Sequence, residues 1–303
     1  MTPAQSTRRD ELQGHLAMLL FACFVAGSFS FGGRIANDID PSALTAARFA
    51  LTAIALGAAA WGAGQLTRQV FRAPWRYAIL GALYGAYFVL MFEGLKTAPP
   101  VSTAAVFTLT PILAAGFGYL VMRQVLTTGM AVALAVGAIG ALWVIFKGDL
   151  STALAFEVGR GEAIYFVGCI CHALYIPPVP KLSRGEGLFA FTTGTAIGGT
   201  LFVSLWGASA IAETDWGALS PQVWVTLMYL VVFASAASMS LVQFASRRLK
   251  AAKVMAYTYL VPSVVILWEL VLTGTIPPLV VMIGVVLTIA ALLLLLREDP
   301  SRI

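Results

Sequence analysis

His172 and Tyr175 stand three residues apart in an apolar stretch, which puts an imidazole and a phenol on one face of a helix. Imidazole titrates near physiological pH, so the pair could hold a substrate carboxylate or pass a proton; the alternative is a neutral histidine bonded to a neighbouring helix. Arg48 is the second conspicuous group, a charge inside the apolar run 43–63. A charge at such depth costs about 3 kcal/mol or more unless it is paired, hydrated or able to snorkel to the surface. Glu93 and Glu269 fall at a similar depth near the ends of their own segments, and Arg48 is expected to pair with one of them, or to act in gating or substrate attraction. Reaction chemistry finds little to work with. The chain has no P-loop, no H-E-x-x-H and no nucleophile elbow. Two histidines, His15 and His172, are too few for a polyhistidine metal centre. Cys23, Cys169 and Cys171 lie in apolar segments, and the one-residue spacer sends the last two to different helix faces, so they read as small buried residues. No catalytic residue, metal or cofactor is expected, and enzyme activity is not.

The elements that must position these groups follow from composition. Residues of the apolar and aromatic set make up 59% of 303 residues and charged residues only 11%, with a mean hydropathy of +0.88. Such a chain cannot cover its surface with polar groups, and lipid is the solvent that suits it. The net charge of +5 resides in short connectors, with no basic aromatic groove, so nucleic acid is not an expected partner. A helix needs about 20 mostly apolar residues to cross a bilayer, and ten stretches qualify: 15–33, 43–63, 75–95, 101–122, 128–146, 161–180, 187–211, 222–244, 252–273 and 278–296. The connectors on one side carry Arg68, Arg72, Arg76, Arg123, Lys181, Arg184, Arg247, Lys250 and Lys253 among others; the opposite side has only Arg34, Lys96, Lys147 and Arg160. That asymmetry places both termini in the cytoplasm.

Two stretches repeat one pattern. Each of 92–122 and 243–273 leaves an apolar segment, crosses a short basic connector and enters a second apolar segment with a proline about ten residues in, Pro111 and Pro262. Aligning the prolines pairs Leu95 with Ser246, Lys96 with Arg247 and Phe107 with Thr258. A weaker echo relates the run from Gly14 to the run from Gly161. The expected fold is an all-α integral membrane protein of ten helices, in two five-helix halves over 1–146 and 161–303, joined by an outer connector at 147–160. Five is odd, so the halves insert with opposite polarity. Such inverted repeats enclose a midplane site in many secondary transporters.

With GSFSFGGR in the first helix, DPSALTAARF with Arg48 at the start of the second, GRGEAIYFVGCICHALYIP opening the sixth and the two proline stretches, the chain resembles the drug/metabolite transporter superfamily in its ten-helix form with two EamA-type repeats. Within it the chain is most similar to bacterial exporters of aromatic and neutral amino acids, the YddG type. It departs from many members, which carry Glu shortly before the fifth and tenth helices; here Arg123-Gln124 and Thr273-Gly274 stand near those places. The resemblance implies a multi-pass protein of the bacterial inner membrane that exports amino acids or related small metabolites by alternating access. The missing P-loop argues against ATP as the energy source, and His172, Glu93 and Glu269 are the candidate carriers if protons are coupled. Multidrug cations, purines and nucleotide sugars are the competing substrates, and a membrane enzyme or sensor is the competing class. A cavity for a small amphipathic solute needs aromatic walls and a few hydroxyls. Phe24, Ser28, Tyr84, Tyr87, Phe107, Ser238, Tyr259 and Trp268 share the depth of His172 and Tyr175 and are the expected lining. Pro111 and Pro262 are the expected points of helix bending.

Overall fold

In the computed structural model, the described residues are 3–123, 127–149, 151, 158–246, 248–249, 254, 256–274 and 278–297. Arg247, Lys250, Lys253, Gln124 and half of the expected outer connector lie outside them. The regular elements among the described residues are helical. They run α1 Pro3–Ile35, α2 Pro41–Gly62, α3 Trp75–Leu95, α4 Pro100–Phe107, α5 Thr110–Met122, α6 Thr128–Ile145, α7 Arg160–Tyr175 and α8 Val179–Leu182. The chain continues through α9 Leu188–Trp206, α10 Ala208–Glu213, α11 Pro221–Val231, a π-helical turn Val232–Ala237, α12 Ser238–Ser246, a 3-10 turn Tyr257–Leu260, α13 Val261–Thr273 and α14 Leu279–Arg297. Eight of the described helical stretches are long and apolar enough to span a membrane, and Tyr257–Thr273 is a shorter apolar one. Large side chains such as Ile54, Leu201, Leu205, Val225 and Val271 stand exposed, as lipid-facing residues do.

Local chemistry explains where helices begin and break. Asp40 caps α2 by accepting from the backbone N–H groups of Ser42 (2.7 Å) and Ala43 (3.4 Å), and Pro41 fills the first helical position. The fourth and ninth expected segments are not continuous. Thr108 and Leu109 N–H groups reach back three residues, to Ala105 and Val106 at 3.0 Å each, and a new helix then starts with Pro111 near its N-terminus. Proline has no N–H to give to the previous turn, so the break falls where it does. Before Pro262 the same break takes the form of the 3-10 turn. The two following helices, α5 and α13, keep the offset of the two prolines at both ends, and both stop at a left-handed residue, Arg123 (φ 54°) and Gly274 (φ 69°). The sixth expected segment is shorter than 161–180: its helix ends at Tyr175, ahead of Pro177 and Pro178.

Helix packing has a reciprocal pattern. α1 packs on α12 and α13, while α7 packs on α3, α4 and α5; α2 pairs with α9, and α6 with α14. Small residues set the closest crossings. A Cβ on Gly81 would meet the backbone of Gly198 and Gly199, and one on Gly140 would meet the backbone of Gly284. Ala17 and Met18 of α1 share an apolar cluster with Leu292 and Leu295 of α14, so the start of α1 and the end of α14 lie at one end of the bundle. At the other end, Phe29, Ile35, Phe92 and Leu95 fill a second, larger core.

Candidate functional site

A cavity of about 400 Å³ lies inside the bundle, lined by α1, α2, α3, α4, α7, α9, the π turn, α12 and the 3-10 turn. On α3, Tyr84 and Tyr87 fall three residues apart and turn toward α7, which answers with His172 and Tyr175 at the same spacing. Tyr84 stacks on Tyr175 with centroids 4.9 Å apart, and Tyr87 meets His172 at 4.6 Å. Phe107, at the last turn of α4, lies 5.7 Å from His172. Beyond it Phe29 touches Phe107 and Tyr165, both at 5.9 Å, and Tyr165 shares a 3.1 Å hydroxyl contact with Tyr87. These rings merge into the core that closes the far end. Toward the end where α1 starts and α14 finishes the lining continues through Met18, Leu188 and Val254.

Arg48 lies in this wall and is only 1% exposed. Its position owes much to the π turn, an irregularity that recurs at functional sites. Nε donates to the Ser235 hydroxyl at 3.0 Å, Nη2 donates to the Ala234 carbonyl at 3.3 Å, and the guanidinium sits 3.8 Å over the Phe88 ring. Nη1 is buried without a hydrogen-bond partner, and so is Nδ1 of His172. Ser238 also lines the cavity, but its hydroxyl is turned back onto the Ala234 and Ser235 carbonyls.

The expected lining residues divide cleanly. Ser28, Tyr84, Tyr87, Phe107, His172, Tyr175 and Ser238 come together around the cavity. Phe24, Tyr259 and Trp268 do not. Phe24 packs on Phe233 at 5.2 Å. Tyr259 is fully buried against Gly137. The Trp268 indole N–H donates to the Cys23 carbonyl at 3.2 Å. The expected pairing of Arg48 with Glu93 or Glu269 is also corrected. Glu93 forms its ion pair with Lys96 at 2.7 Å, one helical turn away, and Glu269 is not among the partners of Arg48. Common depth along the membrane normal does not bring groups together when they face different sides of their helices. Pro111 and Pro262 both sit at helix breaks, outside the lining.

Tyr165, Phe29, Met91 and the π turn are features the sequence reading passed over. Tyr165 could have been found, since it precedes His172 by two helical turns and so shares its face. The small-residue run Ala234–Ser235–Ala236–Ala237–Ser238 was the only visible sign of irregular helix. Chemically, the site offers aromatic faces, two unsatisfied nitrogens and one fixed positive charge. Ring faces can pack the apolar part of a small molecule, and the nitrogens and the charge can meet its polar groups.

Comparison with known proteins adds the family. The model of the EamA-like transporter family matches twice, over residues 12–146 and 159–297. An uncharacterized transporter of Bacillus subtilis (strain 168), YyaM, is 25% identical over 227 residues, which span 73% of each chain. A crystal structure superposes with a TM-score of 0.66 at 17% identity, covering 95% of this chain and 96% of that one, a likeness of fold alone. Two matches that together take in most of a helical, lipid-facing chain identify a multi-pass membrane protein, and the chain belongs to the EamA-like transporter family.

Proposed function

We propose that this transporter exports aromatic and neutral amino acids, or closely related small metabolites, across the bacterial inner membrane by alternating access. The observation that carries the reading is the cavity itself, an aromatic-walled pocket with one fixed charge, bounded by helices from both matched stretches. The working unit is two inverted five-helix halves, 1–146 and 161–303, joined through 147–160, with both termini cytoplasmic. Reciprocal packing supports this arrangement: what α1 does with α12 and α13, α7 does with α3, α4 and α5. The breaks at Pro111 and Pro262 are the points where the halves flex, since a helix bends most readily where its ladder is already interrupted. Solute enters from the end bearing the termini, where Met18, Leu188 and Val254 extend the lining, while Phe29, Phe107 and Tyr165 close the opposite side.

Multidrug cations fit less well, because Arg48 is the only formally charged side chain in the described lining. Nucleotide sugars would need several cations there. Uptake of a radiolabelled amino-acid panel into proteoliposomes, with and without an imposed pH gradient, tests the assignment. Aromatic and neutral amino acids should exchange, and polyphosphorylated solutes should not. A coupled proton has one imidazole in the lining to use, that of His172. His172→Ala should therefore weaken the response of transport to an imposed pH gradient; an unchanged response removes His172 from any proton path.

A further inference from the structure

Arg48 is a buried cation whose hydrogen-bond partners are all neutral. Ser235, the Ala234 carbonyl and the Phe88 ring orient the guanidinium, but none cancels its charge. Nη1 has no acceptor, and the described lining contains no carboxylate. An uncompensated charge in such a place is costly, and the cost falls if an anion arrives. The same lining provides no fixed anion for a solute's ammonium, which would meet only neutral groups there, ring faces such as Tyr84 and Phe88 and acceptors such as Nδ1 of His172. The two ends of an amino acid are thus met unequally.

We propose that the carboxylate is the group this cavity selects and that Arg48 anchors it, so aromatic monocarboxylates without an amino group occupy the same site. This rests on reading the cavity as the solute site, and it extends the substrate class from amino acids to aryl carboxylic acids. Arg48 is held on two of its three nitrogens by the π turn, leaving Nη1 to meet one carboxylate oxygen after a small side-chain shift. Lysine could supply the charge but not the planar grip on Ser235 and Ala234.

Three ligands with one ring separate the contributions: 3-phenylpropanoate, phenylalanine and phenethylamine. Each is measured on the purified full chain, by thermal stabilisation and by competition in proteoliposome exchange. The acid should compete within about threefold of phenylalanine, and the amine at least about tenfold more weakly, the scale of one charge-assisted hydrogen bond. Arg48→Gln should remove the preference for acid over amine, and Arg48→Lys should restore part of it. If Arg48→Gln fails to fold, the unmodified protein decides alone. An amine that competes as well as the acid, or an Arg48→Gln variant that keeps the preference, overturns the anchor while leaving an aromatic solute site in place. If none of the three binds, the solute site and the anchor fail together.

Discussion

Arg76 opens α3 with a fully buried guanidinium, and Glu186, in the segment between α8 and α9, meets it at 2.7 Å with side chains only 1% and 0% exposed. The same arginine donates to the carbonyls of Leu182, of Arg72 at 3.0 Å and of Ala73 at 3.2 Å. Burial pushes the Glu186 carboxyl up, but hydrogen bonds from Arg76 and the Arg184 backbone, with the Arg76 charge, outweigh it and hold the group below its ordinary value of 4.5. A carboxylate held low stabilises the fold above its unfolded pKa, and that stabilisation disappears as pH falls through the lower folded value. The melting temperature in detergent should therefore hold from neutral pH to about 5 and drop below it, with Glu186→Gln blunting the drop. Glu186→Ala, which strands the arginine, should cost about 3–5 kcal/mol in a denaturation experiment. Arg48 illustrates how much of a residue's role a sequence reveals. A charge in an apolar run was plain to see, and so was its depth. Its partners were not, because they depend on how helices face one another and on a local π distortion that no charge or proline announces.

At the level of elements, glycine contacts and broken helices carry the argument. Gly81 of α3 lies against the backbone of α9 at Gly198 and Gly199, where no neighbour can yield as a side-chain tip would. Gly81→Val should separate these helices and lower stability by about 1–3 kcal/mol, with aromatic ligands losing their stabilising effect as Tyr84 is displaced; a variant that melts with the parent would remove the crossing from the account. Pro262→Ala restores a donor to the turn before α13 and lets the 3-10 segment merge with it. Exchange in proteoliposomes should slow in this variant with little change in half-saturation, as expected where a conformational step is limiting. Eight of the expected spans were legible because apolar length is written directly in the chain, and the weak points at Pro111 and Pro262 were legible because proline interrupts the ladder there. The sixth span was overestimated because Ile176–Pro177–Pro178 extends the apolar run without extending the helix.

Across the whole molecule the cavity is asymmetric, sealed by rings at one end and lined onward to the other by Met18, Leu188 and Val254. In a background lacking Cys23, Cys169 and Cys171, a cysteine at Leu188 should react with a membrane-impermeant thiol reagent only from the face bearing the termini. One at Ile35, buried in the opposite core, should resist from either face. Labelling of the Ile35 site from outside would mean that the seal is not the resting state. Seven of the ten residues expected from common depth do line the cavity, and Phe24, Tyr259 and Trp268 were misplaced because depth is only one of the coordinates that define a pocket. The left-handed ends of α5 and α13 carry one more lesson. Both helices end on the same backbone twist, yet one meets it with Gly274 and the other forces it on Arg123. One helix end is thus a template for repairing the other: Arg123→Gly, borrowed from Gly274, should raise stability by about 1 kcal/mol without touching the cavity.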